Sequence, residues 1–131
     1  MHEWALAEAV ISAAAEAADK EGLKRVTEVV IGLGELQQIE DDTFHFALSQ
    51  LKKDKLVKAR FQIEKVKAKM RCRACGNTWI FNIRELDKSM TEAIHFVPEV
   101  AHVYVKCPKC SSPDFEVLEG RGVWLLTVKG V

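Results

Sequence analysis

The 131-residue sequence has no apolar run that approaches the roughly 18–20 residues a membrane-spanning helix needs. It does not begin like a signal peptide, because Glu3 and Glu8 stand where such a peptide carries basic residues. It lacks an internal repeat, a low-complexity run, a nucleophile motif and a phosphate-binding loop. These absences favour a cytoplasmic protein that has no membrane segment and is not an enzyme.

The overall charge is balanced, but it is unevenly distributed. Nineteen basic and nineteen acidic residues cancel, which argues against a general polyanion binder. Residues 1–51 hold ten acids and three bases, whereas residues 52–73 hold ten bases and two acids. The basic stretch is either a strand edge kept soluble by lysines or a docking face for an acidic partner or nucleic acid.

Cysteine occurs only in two Cys-x-x-Cys pairs, Cys72/Cys75 and Cys107/Cys110. This spacing, without a signal peptide, favours reduced thiolates on a metal over disulfides. Four thiolates suit tetrahedral Zn²⁺ and leave no open coordination position, so this zinc should be structural. An iron–sulfur centre and a redox dithiol are the alternatives. The 31 residues between Cys75 and Cys107 exceed the usual range for the motif.

The first residues suggest a second, different metal. The amine of Met1, together with the amide nitrogen and imidazole of His2, can form fused chelate rings that suit square-planar Ni²⁺ or Cu²⁺. Glu3 adds a carboxylate, and a second imidazole from elsewhere could complete the shell. The alternative is that His2 merely follows the start and lies in solvent, with Trp4 as a hydrophobic anchor.

Other candidate ligands have simpler interpretations. Glu40, Asp41 and Asp42 are expected to be helix-capping acids, although Glu40 could lean toward the N-terminus. His45 and His102 lie in apolar surroundings and are expected to be packed or surface residues.

Hydrophobic periodicity predicts an α+β fold. In chain order we expect a helix over 3–21, a strand over 26–33, and a second helix that is capped by Asp41 and Asp42 and buries Phe44, Ala47, Leu48 and Leu51. A strand over 59–64 and two short strands at 79–81 and 103–105 should follow. The last expected element is a hairpin of two strands over 115–128 around Gly120-Arg121-Gly122. The architecture is then a small sheet with two helices on one face, plus an inserted four-cysteine zinc-ribbon-like domain. The predicted domains are residues 1–69 with 114–131, which hold the N-terminal metal site, and residues 70–113, which bind zinc.

Taken together, the motifs resemble those of the HypA family, small metallochaperones that incorporate nickel into hydrogenases. The resemblance covers essentially the whole chain and rests on Met1-His2-Glu3-Trp4, Gly32-Leu33-Gly34-Glu35-Leu36, the two cysteine pairs, Ile94-His95-Phe96-Val97-Pro98-Glu99 and Gly120-Arg121-Gly122. The segment around His95 looks most like that of archaeal members.

The resemblance implies that Met1, His2 and Glu3 are nickel ligands and that His95 completes the site. Glu40 stands where some relatives have an aspartate with a nickel role. Cys72, Cys75, Cys107 and Cys110 would hold zinc. The implied partners are a nucleotide-hydrolysing protein, either a GTPase or a MinD-like ATPase, and the large subunit of a [NiFe]-hydrogenase; some members also serve urease.

The sequence therefore predicts a nickel metallochaperone that captures Ni²⁺ at its N-terminus and delivers it to the hydrogenase large subunit. The rival hypothesis is a zinc-ribbon module that binds protein or nucleic acid through the basic stretch 52–73. A homodimer formed by swapping the cysteine-containing segment is possible.

Overall fold

The computed structural model describes residues 2–37, 39–82 and 85–131, apart from the side chains of His95 and Pro98. The fold is α+β, as predicted. Its helices and strands are α1 (Glu3–Lys20), β1 (Val26–Gly34), α2 (Asp41–Leu51), β2 (Arg60–Val66), β3 (Ala68–Cys72), β4 (Thr78–Phe81), α3 (Lys88–Phe96), α4 (Ala101–Tyr104), β5 (Phe115–Glu119) and β6 (Val123–Gly130). Within the described residues, no helix is both long and apolar enough to cross a bilayer.

The chain divides into two compact units. The first unit contains Met1–Leu33, Ile39–Glu64 and Val123–Val131, and the second contains Gly34–Gln38 and Lys65–Gly122. The segment 70–113, predicted as the zinc domain, lies within the second unit, which also includes β5. The assignment of one metal to each unit stays a prediction.

The first unit is built on a three-stranded sheet with the order β2-β1-β6. β1 and β6 are antiparallel, with Val29 opposite Val128 and Leu33 opposite Val123. The alanine-rich face of α1 buries Ala7, Ala14 and Ala18 completely, and small side chains of this kind allow a helix to pack closely. α1, α2 and the sheet share one hydrophobic core.

α2 buries the side of the helix that the sequence predicted. Phe44, Ala47 and Leu48 are fully buried and belong to the same core. Of the three acids predicted to cap this helix, Glu40 is the N-cap residue, and its carboxylate accepts hydrogen bonds from the N–H groups of Asp42 and Thr43. Asp41 and Asp42, which were also predicted to cap the helix, lie in its first turn, where their charges favour the helix dipole.

The second unit has its own sheet, with β3 antiparallel to both β4 and β5. The predicted strand at 79–81 is confirmed as part of β4. The predicted strand at 103–105 is wrong, because Ala101–Tyr104 is the helix α4. Ala101 and Val105 are buried while Val103 is exposed, so burial follows the helical i, i+4 spacing instead of alternation.

The predicted hairpin over 115–128 is also wrong, because β5 and β6 belong to different sheets. β5 pairs with β3, whereas β6 pairs with β1. The two glycines between β5 and β6 instead accept hydrogen bonds from the chain at and just after the end of β1. The N–H of Gly34 donates to the carbonyl of Gly122 at 2.9 Å, and the N–H of Leu36 donates to the carbonyl of Gly120 at 2.9 Å. The cysteine-containing segment is therefore inserted between β2 and β6 of one sheet.

Candidate metal centres

The four cysteines form one cluster in the second unit. Their sulfur atoms all lie within 4.8 Å of one another. Each cysteine of the first pair has a sulfur of the second pair close by. The Sγ atoms of Cys72 and Cys110 are 3.5 Å apart, and those of Cys75 and Cys107 are 3.7 Å apart. Four sulfurs at about 2.3 Å from a tetrahedral Zn²⁺ would be about 3.8 Å apart. The donor set and its spacing therefore fit a four-thiolate zinc site.

The first pair lies on a tight turn at the end of β3. The N–H of Cys72 donates to the carbonyl of Asn77 at 2.8 Å, and the N–H of Gly76 donates to the carbonyl of Cys72 at 2.9 Å. Gly76 has a φ of +78°, a left-handed conformation that glycine adopts without the steric cost of a Cβ. The turn places Cys72 and Cys75 side by side.

The second pair repeats this turn with one difference. The N–H of Cys107 donates to the carbonyl of Ser112 at 3.0 Å, and the N–H of Ser111 donates to the carbonyl of Cys107 at 2.8 Å. Ser111 has a φ of +65° at the place that Gly76 occupies in the first turn. A non-glycine residue there carries backbone strain.

Backbone N–H groups point at the buried sulfurs and favour their thiolate forms. The pKa of Cys72 is lowered, chiefly by the N–H of Cys75, which lies 3.5 Å from the sulfur. Burial raises the pKa of Cys107, but the N–H groups of Cys110 and Lys109 outweigh it and bring the value to about 6. Thiolates that are stabilised in this way are the form that binds metal.

Sulfurs this close also oppose one another's ionisation. The N–H of Ser112 lowers the pKa of Cys110, but contact with the sulfur of Cys72 and burial outweigh it and raise the pKa to about 12. Four thiolates ionise together in so small a volume only when a cation shares the site.

Two neighbours of the cluster carry no signal in the sequence. The side-chain amide of Asn77 lies 3.7 Å from the sulfur of Cys107, so a residue of the first turn supports a ligand of the second. Arg73 holds Asp114 through a backbone hydrogen bond of 2.9 Å and a side-chain contact of 3.0 Å. Both contacts appear only when the two turns meet in space.

His102 is a packed residue, as expected. Its ring centroid lies 4.2 Å from that of Phe115, and its Nδ1 lies 2.8 Å from the carbonyl oxygen of Pro113. His45 is exposed on α2. The expectation that these two histidines are packed or surface residues is therefore confirmed.

Two of the proposed nickel ligands, His2 and Glu3, lie at the start of α1, in the first unit. His2 is the N-cap residue of this helix, its carbonyl accepts from the N–H of Leu6 at 2.9 Å, and its side chain does not cap the helix. Met1 lies outside the described residues, as does the side chain of His95, whose backbone belongs to α3. Within the described part of the chain, the cysteines are the one cluster of three or more potential ligands.

Glu3 connects the start of α1 to the start of α2. Among the residues that the structure describes, it is the one charged residue that is buried, with 6% of its surface exposed. It accepts a hydrogen bond from the N–H of Glu40 at 3.2 Å. The Glu40 carboxylate turns the other way and accepts from Thr43 at 2.7 Å and Asp42 at 3.3 Å. These bonds, led by those of Thr43, lower the pKa of Glu40. The structure thus brings Glu3 and Glu40 together at one end of the first unit.

Comparison with known proteins gives a consistent result. The family model described as "Hydrogenase/urease nickel incorporation, metallochaperone, hypA" matches residues 1–129. The chain is 43% identical to a hydrogenase maturation factor HypA from Pyrococcus horikoshii over 98% of this chain and 95% of that one. It is also 43% identical to the hydrogenase maturation factor HypA of Thermococcus gammatolerans, over 95% of this chain and 92% of that one.

Solved structures show the same fold. A solution structure of the Ni metallochaperone HypA from Helicobacter pylori superposes with a TM-score of 0.67, covering 100% of this chain and 98% of that one at 21% identity. A second solution structure of a HypA protein superposes with a TM-score of 0.66, covering 100% of this chain and 97% of that one at 24% identity.

Proposed function

Because the chain belongs to the HypA family of nickel-incorporation metallochaperones, we propose that it captures Ni²⁺ at its N-terminus and delivers it to the large subunit of a [NiFe]-hydrogenase. The observation that supports this most directly is the junction at the start of α1. There, His2 precedes the buried Glu3, and Glu3 is bonded to the backbone of Glu40.

The nickel ligands in this proposal are the amine of Met1, the amide nitrogen and imidazole of His2, and a further imidazole from His95. Such nitrogen ligands suit a square-planar or tetragonal d⁸ ion. Glu3 is a candidate carboxylate ligand. Glu40 is a weaker candidate, because both of its oxygens accept hydrogen bonds from the first turn of α2.

The four-cysteine site is proposed to hold zinc in a structural role. A closed shell of four thiolates offers no position for a substrate or a water molecule. Metal binding would contribute to the folding free energy of the second unit, because both turns are organised around the sulfur atoms. Its reduced thiolates suit the cytoplasm, where such sites persist.

Delivery is proposed to involve a nucleotide-hydrolysing partner, a GTPase or a MinD-like ATPase, as well as the hydrogenase precursor. Nitrogen ligands bind Cu²⁺ more tightly than Ni²⁺ along the first-row series. Selectivity for nickel would therefore come from partner docking and metal supply.

The nucleic-acid hypothesis receives less support. Phe61, the one aromatic residue of the basic stretch, packs against the core of the first unit instead of standing between the bases. Several bases of the stretch are paired with acids, namely Lys55 with Asp19, Arg60 with Glu28, Arg71 with Glu116 and Arg73 with Asp114. A binding face for single strands would instead combine exposed aromatics with unneutralised bases.

The test is metal content by mass spectrometry after Ni²⁺ loading and desalting. We expect one zinc and one nickel in the wild type, and zinc alone in His2→Ala. His45→Ala is the matched control, because it removes an exposed histidine outside the proposed ligand set and should keep both metals. Zinc alone in the wild type would overturn the nickel proposal, and loss of both metals in His2→Ala would show that the sites are not separate.

A further inference from the structure

Two aromatic side chains stand exposed beside the proposed nickel site. Trp4 on the first turn of α1 and Phe46 on α2 are 46% and 57% exposed. Their ring centroids are 6.0 Å apart and their planes meet at 84°, which is the edge-to-face arrangement that aromatic pairs favour. Tryptophan is enriched among the residues that dominate binding energies at protein interfaces, and phenylalanine is enriched at the cores of interfaces.

An acidic side chain lies one helical turn from each aromatic residue of this pair. Glu8 follows Trp4 by one helical turn and Asp42 precedes Phe46 by one turn, so each lies on the same side of its helix as the aromatic. Both acids are exposed. We call Trp4, Phe46, Glu8 and Asp42 the aromatic–acidic face.

The basic residues of the same helices lie far from this face. The three bases among residues 1–51 are Lys20, Lys24 and Arg25. Lys20 is sixteen residues beyond Trp4, which corresponds to about 24 Å along α1. Lys55 pairs with Asp19 near that distant end of the helix. Lys20 is the one lysine or arginine within α1 and α2, so Glu8 and Asp42 have no basic neighbour on their own helices.

We propose that the aromatic–acidic face docks a basic, apolar-centred segment of the nucleotide-hydrolysing partner. The apolar residue would pack on the two rings, a Lys or Arg could lie over the face of Trp4, and further bases would pair with Glu8 and Asp42. Two copies of the face would repel each other through their acids, which disfavours self-association here. This inference rests on the proposed function. The docked segment would contact Trp4, which follows His2 by two residues in the sequence.

The experiment measures the affinity of the purified nucleotide-hydrolysing partner for full-length, zinc-loaded protein by biolayer interferometry at 50 mM and 300 mM NaCl. Trp4→Ala with Phe46→Ala should weaken binding by at least about tenfold. The matched control is Trp124→Ala with Leu126→Ala on β6, which removes side chains of similar exposure (40% and 49%) and should change the affinity by less than about twofold.

A second variant keeps the aromatics and reverses the charge. Glu8→Lys with Asp42→Lys should weaken binding by at least about tenfold at 50 mM NaCl and by less at 300 mM, because salt screens exposed charges. The inference is overturned if the wild type does not bind, if neither double variant weakens binding, or if the β6 control weakens it equally. It is also overturned if the face instead mediates self-association, detected as a dimer that Trp4→Ala with Phe46→Ala dissociates.

Nickel content, measured in parallel, separates the two hypotheses. One bound nickel together with unchanged partner affinity would refute the docking face and leave the proposed function intact. Absence of nickel from the wild type would refute the proposed function itself.

Discussion

Replacing Gly120 by alanine should strongly destabilise the second unit. Gly120 has a φ of +108°, and a Cβ there would lie 2.6 Å from the Cα and 3.0 Å from the backbone nitrogen of Ala68. Ala68 is fully buried in β3, the central strand of its sheet, so neither backbone can yield easily. Ordinary contact begins near 3.4 Å, so the two segments must separate by about 0.8 Å.

The expected cost combines two effects. Holding a side chain in this region of φ costs about 1–3 kcal/mol, and overpacking costs about another 1–3 kcal/mol. Hydrogen exchange of the β3 amides measures the stability of this sheet locally. Even a loss of about 2 kcal/mol should speed the exchange by about 30-fold.

Gly76→Ala supplies the control in the same unit. Gly76 also has a positive φ, +78°, but a Cβ there would meet no atom within 4 Å. We expect a cost of about 1 kcal/mol from the backbone conformation alone. If β3 exchanges no faster in Gly120→Ala than in Gly76→Ala, the close approach does not constrain this sheet and the reasoning is refuted.

Two further predictions concern the metal centres. Ser111→Gly should stabilise the zinc-loaded protein by about 0.5 kcal/mol and so raise its urea midpoint, because glycine adopts the φ of +65° without strain. Gly76→Ser should lower the midpoint for the opposite reason. Equal destabilisation by both variants would show that the two turns are not equivalent. Glu40→Ala should lower the melting temperature because α2 loses its cap, whereas Glu40→Asn should preserve it, since asparagine caps well. If Glu40 is a cap and not a ligand, Glu40→Asn should retain one nickel after loading, and loss of nickel from this stable variant would show that nickel binding needs the carboxylate, either as a ligand or as a charge.

Local patterns predicted the first unit well. The alanine-rich face of α1 and the i, i+3, i+4 spacing of Phe44, Ala47 and Leu48 each describe one surface that must be buried. β1 and β2 were recognisable from β-branched residues and alternation. Each of these signals lies within one element, which is why the sequence alone was sufficient.

The errors arose where the outcome depends on distant partners. Gly120 and Gly122 both have a positive φ, which also suits a hairpin turn, yet Val117 pairs with Met70 and Leu125 pairs with Ile31. No local feature states which strand will receive each segment. The contact of Asn77 with Cys107 was missed for the same reason, since the residues lie 30 positions apart. The cysteine cluster was predictable because its chemistry requires the two pairs to meet.

The acids at the start of α1 and α2 have an electrostatic consequence for the proposed nickel site. Each helix presents about half a positive charge at its N-terminus, so two helix starts together contribute about one positive charge that repels a cation. The carboxylates of Glu3 and Glu40 contribute two negative charges there, which more than offset it, and the exposed Asp41 and Asp42 add to the excess. Glu40 can therefore favour Ni²⁺ without touching it. Its contribution as a charge should weaken with added salt, whereas a coordinate bond would not. The difference in nickel affinity between the wild type and Glu40→Asn, measured at low and at high salt, therefore distinguishes the two roles.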